Sequence, residues 1–183
     1  MKQTFLALSL GVLSALAGTS AMATTGTINF EGKITSSTCP IEVVNPGDGS
    51  VGNLVKMGSI EASRFTAVGQ EYSGKSFALR LTDDGNCGLT GTDDVATVTF
   101  NGSADTSGQY FAVTPTTDGA KGVAIVIKDK TGSVVAPGAE SAPYDLIQNG
   151  STDMVFNAYY RSLAATVSAG AASADVQFVV AVN

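Results

Sequence analysis

Histidine and tryptophan are both absent from this 183-residue sequence, and only two cysteines occur. Without imidazole there are no hydrolytic triads that use His as the base and no zinc sites that use it as a ligand. Only 10 Lys and Arg stand against 16 Asp and Glu, giving a formal net charge of −6. Phosphate backbones are held by clustered Lys and Arg, so no nucleic-acid partner is expected. No glycine-rich phosphate loop follows a strand pattern, no long stretch keeps a helical period, and no internal repeat is visible. The carboxylate pairs Asp83/Asp84 and Asp93/Asp94 lie among Gly, Asn and Thr, where turn chemistry accounts for them. A calcium loop opening at Asp84 needs Glu at position 95, and Val95 stands there, which leaves only a less regular calcium site as the alternative. The expectation is therefore a protein without catalytic residues, cofactor or metal.

What is present begins with Lys2, an apolar run over 5–17 and the triplet Ala21-Met22-Ala23. Together they read as a secretory signal peptide, residues 1–23. The alternative, a membrane anchor, needs a run long enough for ~30 Å of hydrocarbon, and this one is too short. No later stretch is apolar enough to cross a membrane. The remainder is the size of one ordinary domain with room for a core. In an exported chain the pair Cys39 and Cys87 reads as a disulfide, worth about 4 kcal/mol in the chain-entropy account. The competing reading is a pair of free or reactive thiols, which usually needs a basic neighbour such as His.

Gly, Thr, Ser, Val and Ala dominate, a composition suited to strands joined by tight turns. In residues 26–34, GTINFEGKI, Gly26, Ile28, Phe30, Gly32 and Ile34 fall on one side and Thr27, Asn29, Glu31 and Lys33 on the other. That alternation is the signature of a half-buried strand. Further strands are expected within 51–60, 75–82, 94–102, 109–114, 122–135 and 153–164, and a short helical turn within 60–69. The chain ends on Val176, Phe178, Val180 and Val182 along one face. Many short strands at regular spacing predict an all-β sandwich. Asn101-Gly102-Ser103 and Asn149-Gly150-Ser151 match glycosylation sequons, but Asn-Gly is also a favoured tight turn, the preferred reading for both. Tyr159-Tyr160-Arg161 reads either as a sugar-stacking platform or, more plainly, as a core strand with one exposed Tyr.

Two strongly apolar strands, one near each end, pose a pairing problem. A long apolar strand on an open edge invites association with another chain. Either the two strands pair with each other or each pairs with a different molecule.

These features coincide in one known family. A signal peptide, the opening TTGTINFEGKITSSTC, the Cys39/Cys87 pair and the ending FNAYYRSL…AGAASADVQFVVAVN resemble a chaperone–usher pilin of the type 1 and F17-like kind. Gly170 stands fourteenth from the end, where that family has Gly, and Val176, Phe178, Val180 and Val182 match its alternating terminal strand. The family's penultimate Tyr is Val182 here.

The resemblance implies an incomplete immunoglobulin-like β-sandwich lacking its last strand, completed by a donor strand from a neighbouring subunit. It implies a donor extension at 24–35 and a pilin domain at 36–183. Gly26, Ile28, Phe30, Gly32 and Ile34 would form the inward face of the donor. Gly170, Val176, Phe178, Val180 and Val182 would form the acceptor groove and the chaperone-contact strand. Cys39 and Cys87 would tie the first domain strand to the neighbouring sheet. The implied partners are neighbouring pilin subunits in a head-to-tail polymer, a periplasmic chaperone and an outer-membrane usher. The implied destination is a fimbrium on the cell surface, reached through the periplasm. The expected function is that of a structural fimbrial subunit supporting adhesion. A tip adaptor, a carbohydrate-binding adhesin and a self-closed secreted sandwich are the alternatives.

Overall fold

The computed structural model describes residues 39–183. The expected signal peptide and donor extension, with Gly26, Ile28, Phe30, Gly32 and Ile34, lie outside the described residues. Among those described, the strands are β1 (Ile41–Val44), β2 (Glu71–Thr82), β3 (Val95–Gly102), β4 (Phe111–Ala112), β5 (Val123–Lys128), β6 (Tyr144–Asp145), β7 (Ser151–Ser162) and β8 (Val176–Val182). They make a five-stranded sheet in the order β1-β2-β7-β5-β4 and a three-stranded sheet in the order β6-β3-β8. Every pairing between these strands is antiparallel.

Side-chain alternation builds the sandwich. In β7, Thr152, Met154, Phe156, Ala158, Tyr160 and Ser162 are buried, with more exposed residues between them. In β3, Ala96, Val98 and Phe100 turn inward. β5 is different: its first five residues, VAIVI, are all buried, so it reads as a continuous apolar run rather than an alternating one. The layers meet at an aromatic cluster. Phe100 of the small sheet lies edge-on to Phe156 of the large sheet, with centroids 4.9 Å apart and planes at 89°. Phe77 stacks on Phe156 at 5.7 Å. The Tyr144 hydroxyl crosses between layers, donating to the Val155 carbonyl at 2.7 Å and accepting from the Lys130 amide at 3.1 Å. Burial pushes its phenol up to about 12.

Four expectations are corrected. No strand forms within 51–60: Val51 makes only an isolated bridge to Val44. The strand expected over 109–114 shrinks to Phe111–Ala112. Asn101-Gly102 is the end of β3, not a turn; Gly102 lies close to the Asp175 carbonyl and the Phe111 ring, where a Cβ would sit 3.1 Å from each. Asn149, by contrast, does occupy a turn, with φ at 53°. Finally, the Cys39–Cys87 disulfide, with Cα atoms 5.0 Å apart, joins the lead-in of β1 to the loop after β2. β1 and β2 are neighbours in one sheet, with Ile41 opposite Leu81, so the bond closes a strand pair rather than tying two sheets together. The expected helical turn is a single 3-10 turn, Ala62–Arg64.

Candidate functional site

β8 stands at the end of its sheet, and β3 is its only strand partner among the described residues. Alternation sets which residues matter. Val176, Phe178 and Val180 are half-buried and pack on the core, while Val179 and Ala181 point to solvent. Phe178 pairs with Phe100 and Val180 with Val98, so this face continues the core outward. Val182 is 38% exposed and contributes less than its place in the pattern suggested.

A second apolar row faces the same core. Val55, Met57 and Ile60 are partly buried against it, although residues 53–60 belong to no strand. Among the described residues no backbone–backbone hydrogen bond involves 53–60. The sequence here carries strand-like alternation at Val55 and Met57 without a ladder among the described residues to belong to. A cavity of about 260 Å³ lies between this segment and the lead-in to β8, lined by Gly58, Ile60, Ala62 and Phe65 on one side and Val167, Gly170 and Ala172 on the other.

The lead-in to β8 is stitched in place. Ser168 and Lys121 exchange backbone hydrogen bonds at 3.0 and 3.4 Å, and the Ala120 amide donates to the Ala171 carbonyl at 2.9 Å. The Tyr160 hydroxyl, on β7, donates to the Ala172 carbonyl at 2.9 Å. Gly170 lies in this lead-in, not in β8. A Cβ there would collide with the backbone of Asp118, Gly119 and Ala120, so only glycine permits the two segments to cross so closely. Tyr160 and the 118–121 crossing escape sequence reasoning, because their role depends on a contact between distant parts of the chain.

The apolar rows of the site contrast with the outer face of the large sheet, where the charges are. Glu71 accepts from Lys128 and Arg161, each at 2.6 Å. Burial pushes the Glu71 carboxyl up, but the hydrogen bonds from Lys128 and Arg161 outweigh it and hold it below the usual range. Arg80 grips Asp153 through two bonds of 2.6 and 2.8 Å. Tyr159-Tyr160-Arg161 is divided by alternation: Tyr160 is buried, Lys128 lies 5.3 Å from the Tyr159 ring centre, and Arg161 lies 4.8 Å from that of Tyr110. The plainer reading of that triplet, a core strand, fits this arrangement. Asp83 accepts from the amides of Asn149 at 2.8 Å, Gly85 at 2.9 Å and Cys87 at 3.2 Å, the Asn149 bond doing most to keep its carboxyl below the ordinary range. Among the described residues no three His, Cys, Asp or Glu side chains converge as metal ligands would.

The fold and its edge agree with what the chain resembles. The family model described as fimbrial protein matches residues 28–183. A probable major fimbrial subunit, LpfA, of Escherichia coli O157:H7 is 35% identical over 154 residues, covering 84% of this chain and 81% of the relative. A type 1 fimbrial subunit of Salmonella typhimurium is 31% identical, covering 84% and 80%. Among solved structures, a Burkholderia pseudomallei antigen and type I fimbria protein is 32% identical with a TM-score of 0.56, covering 85% of this chain and 97% of that one. The P pilus rod subunit PapA shares the fold at a TM-score of 0.61 and 19% identity, covering 80% and 100%. The sandwich of β1 to β8 is thus the incomplete immunoglobulin-like fold of chaperone–usher pilins. The chain belongs to the fimbrial protein family and is a structural subunit of a surface fimbrium.

Proposed function

We propose that this subunit polymerises by donor-strand exchange, with β8 and the 53–60 segment as the two lips of the acceptor groove. The observation that carries this reading is the combination of a seven-residue apolar strand at the end of a sheet and an alternating segment that has no ladder among the described residues. An added strand would satisfy both, by main-chain bonds along its length and side chains pointing into the core. Residues 24–35 supply that strand to the next copy, with Gly26, Ile28, Phe30, Gly32 and Ile34 facing inward. Burying Ile28, Phe30 and Ile34 contributes about 1.5–3 kcal/mol each. Each ladder hydrogen bond adds about 0.5–1.5 kcal/mol net. Gly32 suits a place where the donor passes close to the acceptor backbone. Because donor and groove are different surfaces of one chain, contacts run head to tail and generate a filament.

Before assembly a periplasmic chaperone lends the groove a strand, and an outer-membrane usher hands the subunit to the growing fibre. The signal peptide, residues 1–23, starts that route. Deleting residues 26–34 tests the reading. The shortened subunit should still co-purify with its chaperone and should cap fibres without filling the groove of another subunit. Incorporation at wild-type yield would overturn it.

A further inference from the structure

Two copies of the same tripeptide, Asn-Gly-Ser, occur at 101–103 and 149–151. The fold places them in opposite circumstances. Asn101 and Gly102 are held in the β3–β8 ladder, opposite Gln177 and Val176. Gly102 is further confined between the Asp175 carbonyl and the Phe111 ring. Asn149 is exposed in a turn, in the left-handed region at φ 53°. Its own amide donates to Asp83, but none of the hydrogen bonds among the described residues uses the Gly150 amide.

We propose that Asn149 is a site of spontaneous deamidation and that Asn101, with the same local sequence, is protected from it. The Gly150 amide nitrogen, losing its proton to water, attacks the side-chain carbonyl carbon of Asn149. A C–N bond forms, ammonia leaves, and a five-membered succinimide results. Water then opens the ring at either carbonyl, giving aspartate or isoaspartate. The net change is amide plus water to carboxylic acid plus ammonia, with no oxidation. The reaction needs a glycine that carries no side chain to hinder attack and a backbone that can swing the amide nitrogen towards the side chain. Both sites supply the glycine. Residues 101–102 are fixed in the β3–β8 ladder, whereas residues 149–150 form an exposed turn held, among the described residues, only by two bonds to Asp83.

The product alters a joint in the fold. A new carboxylate appears beside Asp83, which holds the Cys87 loop through its amide bonds. The isoaspartate form also lengthens the main chain between Asn149 and Gly150, displacing the Gly150 carbonyl that accepts from the Asp83 amide at 2.8 Å. An ageing fibre should therefore collect negative charge and a looser Cys87 loop at one defined position.

The experiment compares two sites within one wild-type chain. Assembled fibres are held at mildly alkaline pH, and both peptides are followed by mass spectrometry with isoaspartate-specific methylation. Asn149 is expected to convert at least about tenfold faster than Asn101, since the ladder around Asn101 must open first. In denaturant the two rates should converge. Equal rates in the folded fibre would overturn the proposal. So would an unchanged Asn149 over a period in which the denatured chain has converted. Asn149→Gln should remove the isoaspartate signal, and because the comparison is internal, the result does not depend on that variant assembling.

Discussion

β6 and β8 occupy opposite edges of the same three-stranded sheet and are built to opposite ends. β6 is two residues long and has the charged, exposed Asp145 as one of them. It is pinned to the other layer by the Tyr144 hydroxyl. A short, charged, anchored edge is what a protein uses to discourage further pairing. β8 is seven residues long, uncharged, and turns Val176, Phe178 and Val180 towards the core without fully burying them. Among the described residues, one sheet is therefore blunted at one side and open at the other. The openness comes from strand length and side-chain choice, because the pairing geometry with β3 is the same antiparallel ladder on both sides.

The sharpest way to break this contrast is to charge the open edge. Phe178→Asp puts a carboxyl into the apolar row; a covering strand buries it only in its neutral form, and an unpaired neutral polar group already costs roughly 2–7 kcal/mol by transfer data. Fibres should vanish from electron micrographs. The counterpart on the closed edge, Asp145→Asn, should leave fibre yield unchanged and shift stability by no more than about 0.5 kcal/mol. Next in size is the disulfide. Replacing Cys39 and Cys87 together by Ser should lower subunit stability by about 2–4 kcal/mol, read from the denaturant midpoint. Gly170→Ala should cost about 1–3 kcal/mol by forcing apart the lead-in and the 118–120 backbone. Hydrogen exchange should then quicken around Ala171 and Ala172 more than in β6. Tyr160→Phe removes the bond to the Ala172 carbonyl and should cost about 1 kcal/mol, loosening the same segment.

The smallest effect is that of acid. Glu71 and Asp83 both have carboxyls held below their ordinary values. A depressed carboxyl stabilises the fold above its unfolded value and loses that contribution as pH falls through about 4 and lower. Stability should drop in that window. Glu71→Gln should remove part of the drop, worth about 1 kcal/mol or less for ion pairs near the surface. Exchange along β8, which carries no titratable side chain, should change less than along β2 and β7. An equal acid response in β8 would show that the two sheets do not behave separately.

The longer strands that pair within the described residues are mostly legible in the sequence, but the four-residue β1, which pairs with β2, is not. β2, β3, β7 and β8 were readable from alternation at Phe77, Leu79 and Leu81, at Val98 and Phe100, at Phe156 and Ala158, and at Val176 to Val180. The segment 51–60 shows why pattern alone is insufficient. Its alternation is real, as the half-burial of Val55 and Met57 shows, but a strand is defined by hydrogen bonds to a neighbour. Asn101-Gly102 failed as a turn because pairing with β8, distant in sequence, overrode a local preference. β6 is too short for any periodicity to register. Within the candidate site, Phe178 and Val180 were legible. The reason for glycine at Gly170 was not, since it lies in a backbone crossing with 118–120 that no local pattern encodes.

The long central ladder between β2 and β7 carries a consequence in time rather than in space. It joins residues whose separation along the chain runs from 69, at Thr82 and Ser151, to 90, at Glu71 and Arg161. Loops of that span must close before the ladder returns any stabilisation, and chains dominated by such distant pairings fold over milliseconds to seconds. During that interval the apolar row of β8 has no settled core to lie against. The period of exposure is thus written into the strand order itself, and the proposed donor-strand route would have to meet a need set by folding speed.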